Sequence, residues 1–115
     1  MKGTQKLLAQ IVGVVLTLVG VVGFFMGDSL LGFGINTLHN VVHLVTGLLG
    51  LWVGFFSSEG DYAVNYNKWL GIVYLLVGIV GFFGVLGFLN VNTADNILHL
   101  VLGAVLAGVG FMVKE

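Results

Sequence analysis

Four stretches of this chain, Leu7–Met26, Ile35–Phe56, Trp69–Phe88 and Ala94–Val113, contain a single formally charged residue among them, Asp95. Crossing roughly 30 Å of hydrocarbon takes a helix of about 20 apolar residues, and each stretch has that length. None contains proline, so each backbone ladder is expected to run unbroken, as lipid requires. Charged residues make up only 8% of the 115, against roughly 25% in a water-soluble domain. The chain has too little polar surface to cover itself in water. The expected class is all-α, an integral membrane four-helix bundle.

The chain also repeats itself. VGVVLTLVGVVGFF at 12–25 returns as LGIVYLLVGIVGFF at 70–83, and INTLHNVVHLVTGLLGLWVGF at 35–55 returns as VNTADNILHLVLGAVLAGVGF at 91–111. The first match is offset by 58 residues and the second by 56, so one loop has lost two residues. The pattern predicts one transmembrane domain over 1–115, made of tandem hairpins at about 7–56 and 69–113 and related by an approximate two-fold axis.

Charge sets the expected orientation. Lys2, Lys6, Lys68 and Lys114 lie at the N-terminus, in the middle loop and at the C-terminus, whereas the loops 27–34 and 89–93 hold no Lys or Arg. The positive-inside rule then puts both termini and the loop Ser57–Asn67, the longest at about eleven residues, in the cytoplasm. Trp52, Tyr62, Tyr66 and Trp69 read as interfacial anchors at that face. Lys2 and Lys6 precede an apolar run longer than the roughly 7–15 residues of a signal peptide core, so the segment reads as a retained helix. A net charge of −1 with no basic cluster argues against a nucleic-acid partner. The absence of cysteine excludes disulfides and thiolate metal sites.

On the second segment Asn36, Asn40, His43, Gly47, Gly50 and Gly54 fall within roughly 40° of one line at 100° per residue. Asn92, Asn96, His99, Gly103 and Gly110 repeat the stripe on the fourth, with Leu106 its one large residue. Polar and small residues on one stripe mean that it faces other helices. Gly13, Thr17, Gly20 and Gly27 on the first segment, and Gly71, Gly78 and Gly81 on the third, offer matching small surfaces. These stripes suit close packing within the unit or between copies.

Four readings of the polar residues stay open, the least favoured a proton path through His39, His43, Asp95 and His99, which no acidic residue continues toward the cytoplasm. His39 and His43, and Asp95 and His99, are each four apart, and residues at that spacing share a helix face. If the two helices are neighbours, His39, His43, Asp95 and His99 converge as a set suited to zinc or another divalent metal, with Asn36, Asn40, Asn92 and Asn96 orienting the imidazoles. Alternatively His43 and His99, at similar depth, could bind the two faces of a haem, with Gly20, Gly47, Gly78 and Gly103 leaving room for the macrocycle. The third reading needs no ligand. Asparagine, histidine and threonine hydrogen-bond across helices, and Asn36 and Asp95 cap helix starts. Gln10 and Thr17 are expected to bond neighbouring helices, and Glu59 and Asp61 to be solvated.

The run INTLHNVVHLVTGLLGL, preceded by LVGVVGFF, resembles the domain of unknown function 4383 family of small bacterial and archaeal membrane proteins. The matching positions are Asn36, His39, Asn40, His43 and Gly47. The resemblance implies a four-helix membrane unit in a prokaryotic cell membrane, and implies no activity.

The sequence therefore predicts a lipid-embedded, non-enzymatic protein that acts through its exposed glycine-rich faces, self-associating or joining a larger membrane assembly. The alternative is a haem- or metal-binding protein. No nucleophile–base pair or phosphate loop points to an enzyme.

Overall fold

The computed structural model describes residues 3–57 and 60–114. Helix α1 spans Gly3–Gly23, and a short hairpin follows, β1 (Ser29–Leu30) with β2 (Phe33–Gly34). Helix α2 (Thr37–Leu51) runs on into a π-helical turn at Trp52–Phe56. Helix α3 is Gly60–Gly81, a 3₁₀ turn covers Gly87–Leu89, and α4 is Thr93–Met112. All four helices are long and apolar enough to cross a membrane.

The helices present their large aliphatic residues outward. Leu18, Val45, Leu76 and Val101 are 55–59% exposed, while the glycines and polar groups turn inward. This inverts the pattern of a soluble bundle and suits hydrocarbon. Helix α1 packs on α2, and α3 on α4, through glycine. A Cβ on Gly20 would stand 2.7 Å from the Leu44 nitrogen, and one on Gly103 2.5 Å from that of Leu75. Gly13 meets Gly50 in the same way, and Gly71 meets Ala107. Apart from Gly27, which has open space beside it, the glycines of these stripes are covered within the chain.

Across the two pairs the core joins Ala9, Val12 and Leu16 of α1 to Ala63, Tyr66 and Tyr74 of α3, with Leu106 of α4. At one end a fully buried polar staple ties three helices together. Asn67 Nδ2 donates to Gln5 Oε1 at 2.9 Å, and Gln5 Nε2 donates to the Val109 carbonyl at 2.8 Å. Lys6, Lys68 and Lys114 lie at this end, close in sequence to those groups.

At the other end asparagines lace the two connecting segments. Asn90 Nδ2 donates to the carbonyls of Asp28 and Ile35, Asn36 Nδ2 to that of Phe88, and Asn92 Nδ2 to that of Gly32. The β1–β2 turn places Leu31 at φ 52° and Gly32 at φ 86°, the two positive angles of a tight hairpin turn.

Several expected boundaries move. The third helix begins at Gly60, not Trp69, so most of the expected loop Ser57–Asn67 is helical. Its polar look concealed an amphipathic turn that buries Ala63, Tyr66 and Asn67 at i, i+3 and i+4, with Asp61 in the first turn, where the helix dipole favours it. Tyr66 is consequently a core residue, only 7% exposed and donating to the Thr46 carbonyl at 2.8 Å, not an interfacial anchor. Trp52 and Tyr62 do stack on the outside, and Trp69 is exposed. The same helix stops at Gly81, before Phe88, and Gly84 follows at φ 76°. The ladder of the second segment also changes pitch: Ser57 N–H donates to the Trp52 carbonyl, five residues back, while Gln10 Nε2 takes the Gly54 carbonyl at 2.7 Å. Lys2 and Glu59 lie outside the described residues.

Replacing Gly103 by alanine should cost about 1–3 kcal/mol through backbone overpacking. Gly108→Ala, where nothing lies within 4 Å of the added carbon, should be neutral or gain up to about 1 kcal/mol of helix propensity. Thermal unfolding in detergent, followed by circular dichroism, distinguishes the two.

Candidate metal centre

Two repeated caps set the depth of the histidines. Asn36 Oδ1 accepts the His39 N–H at 2.8 Å and starts α2, which puts His39 in the first turn and His43 one turn deeper. Asn92 Oδ1 accepts the Asp95 N–H at 3.0 Å and starts α4, with His99 one turn beyond Asp95. His43 and His99 each follow their cap by seven residues, roughly 10 Å along the axis.

At that level the two helices bring three imidazoles together. The His39 and His43 ring centroids are 4.3 Å apart, those of His39 and His99 5.7 Å, and those of His43 and His99 6.2 Å. All three residues are buried, at 2%, 8% and 4% exposure. Each offers a ring nitrogen within 4.8 Å of the others. Two nitrogens bound to a tetrahedral zinc at about 2.0–2.1 Å stand roughly 3.4 Å apart, so small side-chain rotations would close the set around an ion. The i, i+4 pair on α2 has the spacing by which helical zinc sites present two imidazoles from one face.

The polar atoms around this cluster differ in how they are satisfied. Among the described residues, both ring nitrogens of His39 and Nδ1 of His43 and of His99 have no hydrogen-bond partner. The side-chain oxygens of Asn40 and Asn96 are also without a conventional donor. A Cβ on Gly23 or Gly81 would, however, fall on those oxygens, so a glycine Cα–H points at each, a weak bond of about 0.5–1 kcal/mol. Thr17 Oγ1 meets Gly47 in the same manner. The His39 ring instead lies toward the backbone of Leu89 and Gly34, short of a full hydrogen bond. Each buried nitrogen without a partner costs about 1–3 kcal/mol, which a coordinated cation would offset.

Asp95 does not join the cluster. Its Oδ2 accepts the Gly34 N–H and the Asn92 N–H, both at 2.8 Å, holding β2 against the start of α4. Nor do the four asparagines orient the imidazoles: Asn36 and Asn92 are caps, and Asn40 and Asn96 lie against glycine. The space expected for a flat macrocycle is filled. Gly20, Gly47, Gly78 and Gly103 are closed by Leu44, Thr17, Leu100 and Leu75, and His39 stands beside both of the expected axial ligands.

Two residues outside the polar stripes complete the surroundings. The Tyr74 ring lies 5.3 Å from His99, and its hydroxyl 3.4 Å from Thr46 Oγ1. Tyr74 stands where the first half of the chain has Leu16, and that exchange was the signal available. Apolar crevices of about 190 and 60 Å³ reach the cluster, the first between α1 and α4 and the second between α2 and α3.

The family model described as Domain of unknown function (DUF4383) matches residues 6–112. No curated protein and no solved structure matches the chain.

Asp95→Ala removes both carboxylate bonds and should lower stability by about 1–2 kcal/mol, the usual range for a lost helix cap. Hydrogen exchange should quicken first at the Gly34 and Asn92 amides.

Proposed function

The chain belongs to the DUF4383 family, whose description carries no activity, and we propose from its own geometry that it is a metal-binding membrane protein without enzymatic activity. His39, His43 and His99 are the ligands in this reading. The observation that carries it is the convergence of three buried imidazoles, each with at least one ring nitrogen that lacks a hydrogen-bond partner among the described residues. An all-imidazole set suits zinc, copper, nickel or iron(II), whereas magnesium and calcium prefer oxygen ligands. Three protein ligands leave one position open on a four-coordinate ion.

The setting proposed is a prokaryotic cell membrane, with the Lys6–Lys68–Lys114 end facing the cytoplasm by the positive-inside rule. The centre then lies toward the outer leaflet, about two helical turns below the asparagine-laced end. A role through self-association draws little support from the glycine stripes, because all of their glycines but Gly27 meet a neighbouring helix or side chain.

Protein purified from its membrane, stripped with chelator and dialysed against Zn(II) should take up one equivalent per chain by elemental analysis. His43→Ala and His99→Ala should each weaken binding by more than about tenfold, and Asp95→Asn should leave the stoichiometry unchanged. Equal zinc retention by wild type and both histidine variants, all with native far-ultraviolet circular dichroism, would overturn the assignment.

A further inference from the structure

The larger crevice does more than approach the cluster. Val15 and Val19 of α1 and Leu98 and Leu102 of α4 form its walls, the β1–β2 hairpin covers its outer end, and His43 and His99 lie at its floor. Its volume of about 190 Å³ is enough for one small ring system. A cavity of about 150 Å³ lined by leucine, isoleucine and phenylalanine stays dry and binds benzene. The walls are mainly aliphatic, with Tyr74 and Asp95 also on the lining, and Val15 and Leu98, at 51% and 45% exposure, stand partly on the lipid-facing surface. Such walls favour entry from hydrocarbon and oppose an ion, which would lose its hydration without replacement.

The cover has a feature of its own. Leu31 adopts the left-handed conformation at φ 52°, which costs a side-chain-bearing residue about 1–2 kcal/mol, and it lines the crevice. Glycine would relieve that strain. Backbone held this way clusters at ligand clamps and switch segments.

We propose that this crevice admits one small, uncharged, lipid-soluble molecule with a lone pair, which enters from the bilayer and takes the fourth position on the metal held by His39, His43 and His99. The proposal rests on the metal reading above and adds the class of the ligand. The bond formed is coordinate, from the ligand lone pair to the ion, and no proton or electron is transferred.

Cobalt(II) in place of zinc makes the test optical, because its visible absorption follows its ligands. The full chain in lipid nanodiscs, loaded with Co(II), is titrated with benzimidazole, a neutral bicyclic donor, and separately with azide, a small anionic donor. Benzimidazole should shift the Co(II) bands saturably, and azide should need at least about 100-fold more ligand, reflecting the cost of moving a charge into an apolar site. Leu98→Trp and Leu102→Phe, which fill the crevice, should retain Co(II) and weaken the benzimidazole response by about tenfold or more. Loaded protein that shows no benzimidazole shift, responds equally to azide, or keeps its affinity in both filled variants overturns the ligand proposal alone. Failure of the wild-type chain to hold Co(II) by elemental analysis overturns the metal reading and this proposal together.

Discussion

Hydrocarbon offers no hydrogen bonds, and the rest of this structure follows from that. A polar atom between the membrane faces must find its partner inside the protein. The chain answers with glycine where helices touch and asparagine where they start, leaving valine and leucine for the acyl chains. Glycine has a second use here, since Gly23 and Gly81 turn a Cα–H toward the oxygens of Asn40 and Asn96. Close helix approach and polar satisfaction are thus supplied by the same residues.

Against that background the histidines stand out. Asparagine caps, capping-box carboxylate and interhelical glutamine all have identifiable partners, and each can be read as a device for holding helices together. Three imidazoles in mutual contact fit that description poorly. One nitrogen of each lies within 4.8 Å of the others, and one ring cannot satisfy two others without proton sharing in a low-dielectric interior. A shared cation resolves the arrangement with the donors present, which is why the site is read as chemistry and the remaining polar groups as scaffold.

Much of this was legible from residue order. Four apolar stretches implied four spanning helices, and the stripe on the second placed Asn40, His43 and the glycines inward, while Asn36 sits half-buried at its end. The roles of Asn36 and Asp95 as caps, and of Gln10 as a partner for a neighbouring helix, also follow from side-chain chemistry. Other features were hidden for physical reasons. The start of α3 looked like loop because its buried side, Ala63, Tyr66 and Asn67, carries hydroxyl and amide groups that hydropathy counts as polar. Asp95 looked like a metal ligand by its spacing from His99, but nothing in the spacing shows that the Gly34 amide arrives from a segment sixty-one residues away. The expected space for a macrocycle failed similarly: a missing side chain marks a void or a close approach with equal force, and here it marks the latter.

The two helix pairs, α1 with α2 and α3 with α4, are not equally dressed. The first carries the longer connection between its helices, and those additional residues allow Ser29–Gly34 to fold into a hairpin, where the second half has only a 3₁₀ turn. The volumes beside the histidines are correspondingly unequal, about 190 against 60 Å³. The longer connector lies over the roomier flank, so the centre has two unequal sides and the wider one faces α1 and α4.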